Sequence, residues 1–124
     1  MQRFMLKSKI HRARITATEL DYAGSITVDE ALLDRADILP GEQVHVLNVN
    51  TGDRFVTYAI PAAKGSHAVI LNGPAARLGQ TGDEVIVLSY CTMDGRESHE
   101  HRPRVLFVDE HNEIRETHEH VPVT

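Results

Sequence analysis

Short runs of β-branched and apolar residues, each closed by a glycine- or proline-bearing turn, leave this chain no room for long helices. Residues Arg3 to Thr18 mix β-branched, basic and apolar types without a turn signal and predict one long first strand, with Lys7, Lys9 and His11 on a shared face. Val44 to Val49 and Arg54 to Ile60 flank Asn50-Thr51-Gly52-Asp53, a hairpin loop with glycine where a positive φ is needed. Val69 to Leu71, Glu84 to Cys91, and a last hairpin of Arg104 to Val108 with Glu113 to Arg115 supply further strands. Helical signals are brief. Thr27 is expected to cap a helix that opens with Asp29 and Glu30 and runs to about Ala36. Pro74 suits the first position of a helical turn through Arg77, where its missing N–H has no partner to lose. Asp94 to Arg102 reads as a polar connection, and residues 117–124 as loosely held. About six short strands and two short helices predict a mainly β chain, a barrel rather than a βαβ sheet, because no helical pattern of roughly ten to fifteen residues separates the strands.

With 124 residues the chain makes a single domain, 1–124. Thirteen basic and eighteen acidic residues give a formal charge of -5, and the basic ones are scattered, so neither a nucleic acid nor an anionic membrane is an expected partner. No run approaches a membrane span, and Met1-Gln2-Arg3-Phe4-Met5-Leu6-Lys7 lacks the apolar centre of a signal peptide, which predicts a cytoplasmic protein. The one cysteine, Cys91, lies in the apolar run Val85 to Cys91 and reads as core filling rather than a nucleophile.

Six local patterns occur together and in order: Lys9-Ile10-His11-Arg12, Tyr22-Ala23-Gly24-Ser25, Asn48 through Ile60 with Thr51-Gly52 and Arg54-Phe55-Val56-Thr57-Tyr58, Asn72-Gly73 with Ala75-Ala76, Gly82-Asp83 with Val85-Ile86, and Arg102-Pro103. In that order and spacing they resemble the pyruvoyl-dependent aspartate α-decarboxylases over nearly the whole chain. Gly-Ser alone is an ordinary turn; the company it keeps makes it specific. The resemblance implies a small six-stranded double-psi β-barrel with short helices. It also implies that the Ser25 hydroxyl attacks the carbonyl of Gly24, dividing the chain into a small 1–24 fragment and a larger 25–124 fragment whose new N-terminus is a pyruvoyl group. That group, made from Ser25, is the implied cofactor; it forms a Schiff base with the amine of L-aspartate and takes up the electrons left by carbon dioxide, giving β-alanine for pantothenate synthesis.

By the same resemblance Thr57 assists cleavage by donating to the attacked carbonyl and binds substrate, and Tyr58 is the proton donor, a phenol being protonated at neutral pH. Alternation separately puts Arg54 and Tyr58 on one strand face and Thr57 on the other. Arg54 suits a bidentate grip on the retained carboxylate, Lys9 is a second cation, and His11 can orient or polarise. Asn72, Gly73, Pro74 and Ala75 are implied substrate contacts, with Ile86 in the pocket wall. Pro74 departs from the family's commoner alanine and offers only its carbonyl and ring; Leu47 replaces a bulky aromatic of some members. A homotetramer with sites near subunit interfaces is implied, cleavage being either spontaneous or assisted by an accessory maturation protein.

Two other classes compete. A non-enzymatic β-barrel module would keep Ser25 intact and hold a small anion with Arg54 and the Asn72 turn. A metal-binding protein would use His99-Glu100-His101 and His118-Glu119-His120, but two His-x-His pairs in polar segments without cysteines read as solvated sequence, and no catalytic metal is expected.

Overall fold

Period-two burial turns about half of the chain into strands, and the computed structural model, which describes residues 1–120, joins nine of them in one hydrogen-bonded series. In chain order they are β1 (Arg3–Arg14), β2 (Ala17–Glu19), β3 (Ser25–Asp29), β4 (Gln43–Asn48), β5 (Arg54–Ala62), β6 (Val69–Asn72), β7 (Glu84–Met93), β8 (Arg104–Val108) and β9 (Ile114–His118). Helices α1 (Glu30–Ala36) and α2 (Gly95–Glu100) and a 3-10 turn at Gly73–Arg77 complete the elements. The spatial order is β2-β6-β3-β5-β4-β7-β1-β8-β9. Pairing is antiparallel except at β1·β8, β2·β6 and β3·β5, which run parallel. The mainly β class is as expected, with nine strands instead of about six.

Two local corrections account for the extra strands. The expected long first strand is two, because the chain leaves β7 at Ile15 and Thr16: the Ile15 N–H donates to Asp83 O and the Thr16 N–H to Val69 O, moving the backbone to a new neighbour. Residues expected to open the first helix instead form β3, with Thr27 inside it rather than capping. The β-branched Ile26-Thr27-Val28 run gains a parallel partner in β5 and an antiparallel one in β6, and that pairing on both edges outweighs a local helix signal. Asp29 does the capping, two residues later.

Other differences are smaller. A bulge between Leu6 and Ser8 leaves Lys7 without a β7 partner, and it reaches Glu42 at 2.8 Å; Lys7, Lys9 and His11 still alternate with buried Ser8 and Ile10, on one face as expected. The polar run after Met93 contains α2, capped where Asp94 accepts from the Glu97 N–H at 2.8 Å, an Asp-x-x-Glu signal. Thr117 and His118, expected to be loose, pair with Leu106 and Val105 of β8, because the strand already started at Ile114 continues along the same edge. Residues 121–124 of that expected tail lie outside the described residues.

The core gathers the inward residues of both parts of the sheet: Ile10, Ile26, Val28, Val44, Val46, Val69, Leu71, Val85, Val87 and Leu106 are all buried, with Leu32 and Leu33 of α1 packed on them. Each such side chain contributes roughly 1.5–3 kcal/mol through burial.

Asp29 ties this core to the loop before β6. Its Oδ1 accepts from the N–H of Ala31 at 2.9 Å and Gly65 at 3.1 Å, and its Oδ2 from the N–H of His67 at 2.8 Å. Burial alone would raise this carboxyl's pKa, but the backbone donors, with a smaller part from the His67 charge, outweigh it and hold the pKa below the ordinary value. A depressed carboxyl stabilises the fold above its unfolded-state pKa and loses that contribution as pH falls through its folded-state pKa. Asp29→Ala should therefore lower stability at neutral pH by roughly 2–3 kcal/mol in urea unfolding, and the gap to wild type should close as the pH falls below about 4.

Candidate active site

Glycine occupies two positions around one turn for reasons of shape. Gly24, immediately before β3, has φ +117°, a region closed to ordinary side chains. Gly73, at φ +62°, presses on the same turn from behind: a Cβ there would strike the Tyr22 carbonyl and lie 2.7 Å from Gly24 N and 2.9 Å from Gly24 Cα. The Pro74 ring continues the contact, its Cδ 3.5 Å from where a Cβ on Gly24 would sit. The 3-10 turn beginning at Gly73 is thus the surface against which the turn from Tyr22 to Ser25 is moulded.

Ser25 opens β3 opposite Asn72 of β6, and Ile26 pairs with Ala59, so Ser25 enters the sheet beside Tyr58. Both Ser25 and Asn72 are buried, at 0% and 2% exposure. The Asn72 carboxamide nitrogen donates to Ser25 Oγ at 2.8 Å and to Thr27 Oγ1 at 2.8 Å. Donation from Asn72 occupies a lone pair of Oγ and leaves the serine proton free to go elsewhere. The sequence treated this hydroxyl as part of a surface turn. Pairing of β3 on both edges buries it instead.

A cavity of about 340 Å³ opens on this group, lined by Gly24, Ser25, Thr57, Tyr58, Pro74 and Ala75, with Ala23, Phe55, Val56 and Leu78 as its apolar remainder. That volume suits a small molecule. The expected split along β5 is present: Thr57 and Phe55 are partly buried while Arg54, Val56 and Tyr58 are exposed, Tyr58 at 41%. Thr57 and Tyr58 meet at the cavity because β5 forms its border. Among the described residues that line it, none is cationic.

The remaining sequence candidates lie elsewhere on the same chain. Cross-strand register runs Arg54–Leu47–Ile86 in one row and Val56–His45–Leu88–Lys9 in the next. Lys9 is therefore three strands from β5, on the order of 14 Å, and Arg54 is four residues along β5 from Tyr58, about 13 Å. His11 pairs with Phe107 of β8 and packs edge-on against its ring at 5.1 Å between centroids. Burial first, then the Lys9 and Arg12 charges, lower the His11 pKa and favour its neutral form; its Nδ1 is buried without a partner. One chain thus unites Gly24, Ser25, Thr57, Tyr58, Asn72, Gly73, Pro74 and Ala75. It does not bring Lys9, His11, Arg54 or Ile86 to them.

A larger cavity of about 770 Å³ lies on the outer face beside Phe4, His45 and Tyr90, but its charged groups, Lys7 and Glu42, already neutralise one another at 2.8 Å, and no nucleophile in it is set against a strained backbone. Burial raises the Glu42 carboxyl's pKa, while bonds from Lys7, Ser89 and the Leu39 N–H lower it further than that. Cys91 is partly buried at its edge. The chemistry points to the smaller cavity. Of the histidine pairs, His101 Nε2 lies 2.7 Å from Leu6 O, and His118 Nε2 lies 2.9 Å from a Glu116 oxygen. Among the described residues no group of three or more His, Cys, Asp or Glu is placed to hold a metal, and no helix is long and apolar enough to cross a membrane. Sequence reasoning missed Thr27 and Leu78 here: Thr27 arrives through the pairing of β3, which has no local signal, and Leu78 ends the turn that Pro74 opens, where nothing local showed that it would face the cavity.

Comparison with known proteins gives the chain a family. The family model described as aspartate decarboxylase matches residues 1–115. Aspartate 1-decarboxylase of Thermoanaerobacter pseudethanolicus is 56% identical over 112 residues, covering 90% of this chain and 96% of that protein. The protein of the same name from Salinibacter ruber is 54% identical over 91% of this chain and 77% of its own length, and that from Syntrophomonas wolfei is 52% identical over 94% and 98%. The chain belongs to the aspartate decarboxylase family.

Proposed function

We propose that this protein cleaves its own backbone between Gly24 and Ser25 and then decarboxylates L-aspartate to β-alanine and carbon dioxide, the step that provides β-alanine for pantothenate. One observation carries the reading: a buried serine hydroxyl, held by Asn72, follows a glycine at φ +117° in a cavity shared with Thr57 and Tyr58. Few turns have any reason to combine these features.

In the first stage Ser25 Oγ attacks the Gly24 carbonyl carbon, the Gly24–Ser25 C–N bond breaks, and an ester joins the fragments, with the freed amine on residue 25. Gly24, without a Cβ, leaves the carbonyl open to attack, and its unusual backbone stores strain that the break releases. Thr57, from its place in the cavity, is the hydroxyl donor to the carbonyl oxygen as charge develops there. Loss of the Cα proton and of the Gly24 carboxylate from Cβ then leaves dehydroalanine, and water replaces its nitrogen, which departs as ammonia. The pyruvoyl ketone so produced fits the site, since Ala23, Gly24 and Ala75 are small and Asn72 stands beside residue 25. When present it supplies the electron sink for decarboxylation, with no metal required. Tyr58 Oη, at the cavity border beside residue 25, delivers the proton to the substrate carbon that has lost carbon dioxide. The fragments are then 1–24 and 25–124.

The cavity's own lining offers a diacid no cation, whereas Lys9 and Arg54 face outward on the same sheet surface as the exposed apolar residues Val56, Tyr58 and Tyr90. A homotetramer answers both facts: it covers those side chains and lets the cations of a neighbouring copy reach the substrate carboxylates, with His11, Asn72, Gly73, Pro74 and Ala75 as further contacts. The three parallel pairs among antiparallel ones favour closure of the sheet as a double-psi β-barrel built on its longer strands. A cytoplasmic location and cleavage with or without a maturation protein belong to the same reading.

Ser25→Ala should remain one full-length chain by intact mass and release no carbon dioxide, while losing roughly 1–3 kcal/mol of stability because the buried Asn72 donor is left without its acceptor. Decarboxylation by that variant overturns the reading. Tyr58→Phe should still yield two fragments but turn over roughly 10²–10⁴-fold more slowly, measured as β-alanine formed per processed chain.

A further inference from the structure

We propose that Thr27 is a positioning residue for backbone cleavage: its hydroxyl holds the Asn72 carboxamide in the orientation that fixes Ser25 Oγ. The role rests on the self-processing reading and extends it to a residue with no part in it so far. Thr27 follows Ser25 by two residues on β3, so both side chains project to the same side of the strand. Asn72 sits directly opposite Ser25 on β6, and Thr27 opposite Ile70, which places the carboxamide diagonally across the two hydroxyls. It donates to each at 2.8 Å.

Burial makes this geometry matter. Asn72 is 2% exposed, so the hydrogen it gives Thr27 has no water to turn to. Remove the Thr27 oxygen and the carboxamide must either keep an unpartnered donor or rotate about its last torsion in search of one. Rotation breaks the bond to Ser25 Oγ. A serine released from that bond samples several rotamers, and only some of them aim Oγ at the Gly24 carbonyl. As Oγ bonds to carbon the negative charge grows on the Gly24 carbonyl oxygen, so the Asn72 bond acts by aiming the nucleophile and not by holding that charge. Thr27 touches neither reacting atom. It acts through Asn72.

The test follows cleavage of freshly synthesised chain by intact mass over time. Wild type should convert to 1–24 and 25–124; Thr27→Val, equal in shape but without the hydroxyl, should convert at least roughly tenfold more slowly, as should Thr27→Ala, a second hydroxyl-free variant that guards against a folding defect in either. Thr27→Ser, which restores the oxygen and omits the methyl, should return to within about threefold of wild type. Thermal unfolding of the uncleaved chains should separate these rates from stability, because a purely structural role predicts a slow Ser variant as well. Wild-type rates in Thr27→Val and Thr27→Ala, or a Ser variant as slow as they are, overturn the role of Thr27 alone. A wild-type chain that stays whole overturns the self-processing reading and this role together.

Discussion

The pairing of β3 on both edges is the constraint on which the rest depends. Parallel to β5 and antiparallel to β6, this five-residue strand puts Ser25 beside Tyr58 on one side and opposite Asn72 on the other. The same pairing forces the preceding turn into the space left by Gly73, where a Cβ has no room, and so gives Gly24 a backbone that residues with a side chain avoid. A glycine at positive φ, a buried hydroxyl and a buried carboxamide are three consequences of one strand placement. Asp29 anchors its far end, so that capping of α1, the loop at Gly65 and His67, and the position of β3 depend on a single carboxylate.

Charge is distributed in a complementary way. The cavity beside Ser25 is lined by small, apolar and hydroxyl-bearing residues, with no charged side chain among them. The cations that a dicarboxylate requires stand on the outer surface, with Lys9 on β1 and Arg54 on β5. In the proposed tetramer that separation divides two tasks: each chain prepares its own cleavage turn from residues close in its own fold, and the assembly completes the substrate site. A neutral His11, shielded against Phe107 and next to Lys9, can accept or donate a hydrogen bond there without adding charge.

Much of the site was readable before any fold. Arg54, Thr57 and Tyr58 fall on opposite sides of β5 as two-residue alternation requires, and Gly24-Ser25 with Asn72-Gly73 stood out as elements of a family pattern. Where reading failed, it failed at competition between local and distant partners. Thr27 has the local marks of a helix cap, yet two neighbouring strands bond its backbone and Asn72 bonds its side chain. The bulge at Lys7, which no local signal announces, leaves that residue without a partner on β7, and its side chain meets Glu42. The second helix was missed although Asp94 and Glu97 carry a capping signal, since nothing on it is buried and no apolar period announced it.

By itself the sequence determined that this chain is mainly β and that it belongs with the aspartate decarboxylases, because strand period, turn residues and ordered motifs are local properties of a chain. Only the tertiary structure decided that Ser25 is buried rather than in a surface turn, that Ser25 and Thr27 share the Asn72 carboxamide, and that Lys9 and Arg54 stand away from the cavity of their own chain. Those facts depend on which strands become neighbours. Pairing between residues such as Ser25 and Asn72, 47 positions apart, is chosen by the energy of the whole sheet and leaves no mark on either segment alone.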